Sequence, residues 1–288
     1  MQDRDGLSAE RTRMEPGACG INSPYVDIGG GHRLRVRDWG AGPPVMLLAG
    51  WAMDSRIWAE VMMALNEQGT RTIAYDRRGH GGSTDPGRVD FDGLAGDLAA
   101  VLDAVDLTQV TLVCHSGAAG EAIRYVIRYG ADRLRRLVLV GATGPKMMAI
   151  DDEPFGATAA VADTLRQQLS TDLAGWIDAN VEPFAPGLNP RLQDWMGAMA
   201  LDCSRRITVD FQQAIIAADF RQEAAALRLP VTIIHGDKDV SAPIDLTGRR
   251  YAALIPDAEL LVYDGAAHGL PVTHAQRLAA DIAERIRP

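Results

Sequence analysis

A serine hydroxyl is a poor nucleophile at neutral pH unless a positioned base takes its proton, and that base needs an acid to orient it. One serine of this chain is placed for such chemistry. Ser116 follows the apolar run Val110-Thr-Leu-Val-Cys114 and precedes the small residues Gly117, Ala118, Ala119 and Gly120, after which Glu121 to Tyr129 carries a helical pattern. A strand, a tight turn and a helix therefore share Ser116. This is the arrangement of a nucleophile elbow, which projects the hydroxyl from the sheet edge and leaves no room for bulky neighbours. Cys114 and Ala118 stand where the G-x-S-x-G pattern has glycines, so an ordinary turn with a capping serine is the competing reading.

Ligand sites in open α/β sheets lie beyond the carboxyl ends of the strands, and the acid and base are expected there. Asp239 lies just after the run Val231 to Ile234, and His268 just after the run ending at Tyr263. Asp239 is the preferred acid. Asp237 shares its turn and is the alternative, although its side chain can equally cap that turn. His32, His80, His115, His235 and His274 read as loop or packing residues, with His80 and His115 bordering the pocket. An oxyanion hole needs two backbone N–H groups. Gly117, after the nucleophile, supplies one candidate, and Trp51, in the loop after Val45 to Leu48, supplies the other or forms a hydrophobic wall.

These residues need elements to hold them. Tyr25 to Ile28 and Leu34 to Trp39, joined by Gly29-Gly-Gly31, predict a hairpin at a sheet edge. Val45 to Leu48, Thr72 to Tyr75, the run before Ser116, Leu137 to Val140, Val231 to Ile234 and Leu260 to Tyr263 are continuous apolar runs, which suit strands buried on both faces. Helical patterns separate them: Trp58 to Leu65, Phe91 to Val105, Leu246 to Leu254, and a closing helix with Leu278, Ile282 and Ile286 on one face. Strand and helix in alternation predict a parallel sheet with right-handed crossovers. From Pro145 to Leu229 the alternation stops, and helical spacing such as Leu165 with Leu169 predicts an inserted helical cap. The expected organisation is an arm over residues 1–22, an α/β core over 23–144 and 230–288, and a cap over 145–229. Trp51, His115, Met147, Trp176 and Trp195 are the candidate pocket residues, although apolar side chains at helical spacing more commonly form core.

A formal net charge of -9 with no basic stripe argues against a nucleic-acid partner. Cys19, Cys114 and Cys203 lack the spacing of a disulfide framework or a zinc site, so no metal is expected. Neither a signal peptide nor a membrane-spanning run is evident, and a cytoplasmic protein without a membrane partner is expected. Its partner is then a small-molecule substrate. Oligomeric state is not encoded in these patterns.

The stretches Tyr75-Asp-Arg-Arg-Gly-His-Gly-Gly-Ser83, Gly120-Glu-Ala-Ile-Arg-Tyr125, Asp132 to Ala142 and His235-Gly-Asp-Lys-Asp239 resemble the α/β-hydrolase family, in its branch of bacterial cofactor-free haloperoxidases, perhydrolases and esterases. The resemblance runs from about Tyr25 onward and is weakest in the cap. It implies a mainly parallel eight-stranded sheet, a Ser116-Asp239-His268 triad, and hydrolysis of esters or lactones without a cofactor. Two departures stand out. The loop that begins His-Gly in relatives begins Ala49-Gly50 here, and Ala118 and Ala119 replace glycines after the elbow.

The expected activity is that of a serine hydrolase acting on an ester or lactone of an apolar small molecule. The alternatives are peracid formation with the same triad, and a ligand-binding protein that retains the fold with little turnover. A dehalogenase or epoxide hydrolase is disfavoured, because those chemistries use a carboxylate nucleophile at the elbow.

Overall fold

The computed structural model describes residues 23–149 and 156–286, so the expected arm over 1–22 lies outside the described residues. In chain order the elements are β1 (Tyr25–Gly29), β2 (His32–Trp39), β3 (Pro44–Leu48), a 3-10 turn (Ser55–Trp58), α1 (Ala59–Glu67), β4 (Arg71–Tyr75), α2 (Phe91–Ala104), β5 (Val110–His115), α3 (Ala118–Tyr129) and β6 (Leu134–Val140). Then come α4 (Ala159–Thr171), α5 (Leu173–Phe184), α6 (Pro190–Asp202), α7 (Arg205–Ala217) and α8 (Arg221–Ala225) without an intervening strand. Strand alternation resumes with β7 (Val231–Gly236), α9 (Gly248–Leu254), β8 (Glu259–Tyr263), α10 (Leu270–Thr273) and α11 (Ala275–Ile286).

The strands form one eight-stranded sheet in the order β1-β2-β4-β3-β5-β6-β7-β8. Only β2 is antiparallel to its neighbours, β1 and β4, and every pairing from β4 to β8 is parallel. Period-2 alternation sends the sheet's side chains into two layers of core. Leu112 and Cys114 of β5 and Leu137 and Leu139 of β6 pack on α2 and α3, through Leu94, Leu98, Leu102 and Ala122. Val113, Val138 and Val140 face the opposite way, toward Trp58, Met62, Leu278 and Ile282. Both layers are dry, which is why the strands read as unbroken apolar runs.

The strand order fixes where a site can form. From β3 the chain first builds β4 on one side and later β5 on the other, so a crevice opens where β3 and β5 end. Leu48 is in register with Cys114, which sets Ala49-Gly50-Trp51 directly beside His115-Ser116-Gly117. Helix α5 was hidden in the sequence, although Trp176 and Phe184 lie on it. No helix among the described residues is long and apolar enough to cross a membrane.

Candidate active site

Ser116 sits between β5 and α3 with φ +56°, in the left-handed region. For a residue with a Cβ this conformation costs roughly 1–2 kcal/mol, and it persists because the backbone around it is fixed from several sides. The Ser116 N–H donates to Val140 O at 2.9 Å, and its carbonyl accepts from Ala119 at 3.1 Å and Thr143 at 3.3 Å. Ala118, Ala119 and Cys114 are fully buried in the α2–α3 layer, so the helix start accommodates the methyl groups and the thiol within ordinary core.

His268 reaches Ser116 because the loop after β8 passes back over the end of β7. That crossing requires Gly236, where a Cβ would lie 2.2 Å from Ala266 O. The loop is pinned at several points: Lys238 N–H donates to Ala266 O at 2.9 Å and Gly269 N–H to Phe184 O at 2.7 Å, while His115 Nε2 lies 3.1 Å from His268 O. A carbonyl oxygen only accepts, so His115 Nε2 carries the proton. Burial, then the neighbouring His268, pushes the His115 imidazole down to about 3, and it stays neutral. Its Nδ1 has no partner among the described residues.

The structure brings Ser116, His268 and Asp239 together. His268 Nε2 lies 2.9 Å from Ser116 Oγ, and His268 Nδ1 lies 2.6 Å from Asp239 Oδ2. A carboxylate is an acceptor, so Nδ1 bears the hydrogen and Nε2 presents its lone pair to the serine hydroxyl. Asp239 Oδ1 accepts from Ala242 N–H at 2.7 Å. His235, which sequence reasoning took for packing, donates through Nε2 to Ala242 O at 2.8 Å and lies 3.3 Å from Asp239 Oδ2. Burial opposes the Asp239 charge, but the facing His268, the two imidazole N–H groups and the Ala242 amide hold its carboxyl well below the usual range. Asp237 points elsewhere and accepts from Gly265 N–H at 2.6 Å.

Gly50 allows the loop after β3 to press against the elbow, since a Cβ there would lie 2.8 Å from His115 Nδ1 and 2.9 Å from Ser116 Cβ. Trp51 and Gly117 follow on the two facing loops, and neither backbone N–H has a hydrogen-bond partner among the described residues. The Trp51 indole leaves the loop, donates Nε1–H to Thr208 O of α7 at 2.7 Å, and meets Trp176 of α5 edge to face at 5.2 Å.

A cavity of about 300 Å³ lies against Ser116 and His268, lined largely by apolar side chains of α5, α6 and α7, with Asn180, Gln212, Ser241 and Thr143 as its polar points. Trp51, His115, Met147 and Trp176 line it. Trp195 does not, which corrects that expectation: Met196, Gly197 and Ala200 face the cavity, while Trp195, about 100° away around α6, packs against the hydrophobic cluster that also holds Met196 and Met199. His80 is also absent from the lining, buried in its own loop with Nδ1 2.9 Å from Arg78 O. The α5 stripe Trp176, Ile177, Asn180, Val181 and Phe184 repeats at helical spacing, and that spacing was the signal that could have found it. Among the described residues no group of three or more His, Cys, Asp or Glu is arranged to hold a metal ion.

Comparison with known proteins fits this architecture. Residues 43–272 match the family model described as serine aminopeptidase, S33. The chain is 37% identical over 254 residues to a non-heme chloroperoxidase of Kitasatospora aureofaciens, covering 86% of this chain and 92% of that one. It is 31% identical over 277 residues to a bifunctional esterase/perhydrolase of Acinetobacter calcoaceticus, covering 91% and 99%. The crystal structure of a bromoperoxidase from Bacillus anthracis matches with a TM-score of 0.86 at 31% identity, covering 90% and 97%. The chain belongs to the α/β-hydrolase family, in the branch that holds the non-heme haloperoxidases and perhydrolases.

Proposed function

We propose that this protein is a serine hydrolase that cleaves a carboxylic ester or lactone of an apolar small molecule. The reading is carried by the chain of contacts from Ser116 Oγ through His268 to Asp239, at 2.9 and 2.6 Å. As Ser116 Oγ bonds to the substrate carbonyl carbon, His268 Nε2 takes the hydroxyl proton and the carbonyl electron pair moves onto oxygen. The Trp51 and Gly117 N–H groups receive that oxygen, and one such donor is worth about 3 kcal/mol of transition-state stabilisation. The alkoxide leaves with the His268 proton, and an acyl-enzyme forms. His268 then deprotonates water, which attacks the acyl carbon and frees Ser116. Asp239 keeps the imidazole in the required tautomer and balances its charge.

The apolar lining supports an apolar substrate, and the helices α4 to α8 are assigned to a cap that selects it, over the α/β core. The odd number and wide spacing of the three cysteines support a reducing, cytoplasmic location. A second reading keeps the triad but replaces water with hydrogen peroxide in the deacylation step, giving a peracid. It is supported by the similarity to a bifunctional esterase/perhydrolase. Peracetic acid yield from acetate and hydrogen peroxide, compared with the rate of hydrolysis of an aryl acetate, separates the two.

Ser116→Ala is expected to lower aryl-ester hydrolysis by at least ~10³-fold and to abolish labelling by an organophosphonate. Hydrolysis and labelling at the wild-type level would sink the assignment.

A further inference from the structure

The loop carrying Trp51 begins Ala49-Gly50, and neither side chain can make a hydrogen bond. The side chains of Ala49 and Gly50 therefore do nothing to fix the Gly50–Trp51 peptide, and its stronger partner comes from outside the loop. Arg77, buried in the loop after β4, lies behind it. Its Nη1 donates to Gly50 O at 3.2 Å and its Nη2 to Ala49 O at 2.7 Å. The other acceptor of the guanidinium is Glu121 Oε2 on α3, at 3.0 Å from Nε and 2.8 Å from Nη2, and the Tyr75 hydroxyl donates to Glu121 Oε1. The Phe211 ring of α7 covers the guanidinium at 4.7 Å. Gly50 O has one further contact, the Met53 N–H at 3.4 Å.

In a trans peptide the carbonyl of one residue and the N–H of the next point in opposite directions. Holding Gly50 O toward Arg77 therefore turns the Trp51 N–H away from it, and Gly50 itself rests against His115 and Ser116. A charged donor on the carbonyl also polarises the amide and strengthens its N–H as a donor.

We propose that Arg77, balanced by Glu121, is a positioning residue of the oxyanion hole that aims and polarises the Trp51 N–H through the Gly50 carbonyl. The inference rests on the serine-hydrolase reading above. Arg77 touches no reacting atom, so its removal changes transition-state stabilisation and leaves substrate binding nearly intact.

The test is the double variant Arg77→Met/Glu121→Gln, which removes both buried charges together and leaves neither unpaired. With p-nitrophenyl butyrate, kcat is expected to fall ~10–100-fold with KM within about twofold. Affinity for an alkyl trifluoromethyl ketone, which Ser116 converts to a hemiketal oxyanion, is expected to fall by the same factor as kcat/KM. Arg77→Lys keeps the charge opposite Glu121 but offers one nitrogen for two carbonyls. It is expected to lose about tenfold in kcat at unchanged KM, and it carries the test if the double variant does not fold. Folded variants with wild-type kcat, or with reduced kcat and unchanged ketone affinity, would overturn the role of Arg77. A wild-type protein with no Ser116-dependent turnover and no phosphonate labelling would instead overturn the hydrolase reading, so the two failures are distinguishable.

Discussion

Asp237 and Asp239 are two residues apart, yet their oxygens face different partners. One carboxylate ties the Gly265 amide, and the other receives His268 Nδ1 in a buried site. Asp239→Asn is expected to lower kcat by about 10³–10⁴-fold, because an amide donor opposite Nδ1 favours the wrong tautomer. Asp237→Asn is expected to keep kcat within a few-fold, since an amide oxygen can still accept from Gly265. Steady-state kinetics of the two variants with one aryl ester checks both. The sequence left this pair open because the spacing after a strand places a turn and does not say which side chain the turn aims inward. Ser116 and His268 were legible for the opposite reason: each stands alone at the end of an apolar run. His235 was not legible, since nothing in its neighbours says that its Nε2 would meet the Asp239 carboxylate.

At the level of elements, the central strands β3 to β7 were legible because burial on both faces writes them as continuous apolar runs, and their parallel pairing follows from strand–helix alternation, whereas their order in the sheet does not. Helix α5 was harder to read, because Pro183 lies in its last turn and Asn180 is the one polar residue in an otherwise apolar stripe. The misplacement of Trp195 has the same origin. A period identifies a helix, whereas its phase relative to a cavity is set by packing against α5 and the sheet. Trp176 occupies the wall of that cavity and is edge to face with Trp51. Trp176→Ala is expected to enlarge the acyl or alcohol space and to raise kcat/KM for long-chain over short-chain esters by about tenfold, the scale of one or two extra methylene contacts. A profile across p-nitrophenyl ester chain lengths checks this, and an unchanged optimum would remove Trp176 from substrate selection.

Across the whole molecule, acid sensitivity follows from imidazoles folded in neutral form. His80 is pushed down to about 4 by burial and then by Arg77, and His115 is pushed down to about 3. In the unfolded chain both protonate near pH 6.5. Below that value the unfolded state binds more protons than the native one, so stability is complete above about pH 6.5 and declines as pH falls toward 4. Each group contributes a slope of at most about 1.4 kcal/mol per pH unit in that window. Replacing His80 with Gln is expected to flatten the fall of Tm between pH 6.5 and 4.5, measured by calorimetry, and an unchanged slope would show that His80 does not titrate there.

The Trp51 side chain bonds to a main-chain oxygen of α7, at Thr208. Substitutions of the Thr208 side chain leave that acceptor in place, so α7 can vary in sequence without severing the connection. Displacement of the helix is different, because it pulls on the same residue whose amide is proposed above to receive the oxyanion. Engineering for new substrates therefore has an asymmetric landscape at this point of α7: replacing the Thr208 side chain leaves the Trp51 anchor in place, whereas insertions or deletions that shift the helix displace it.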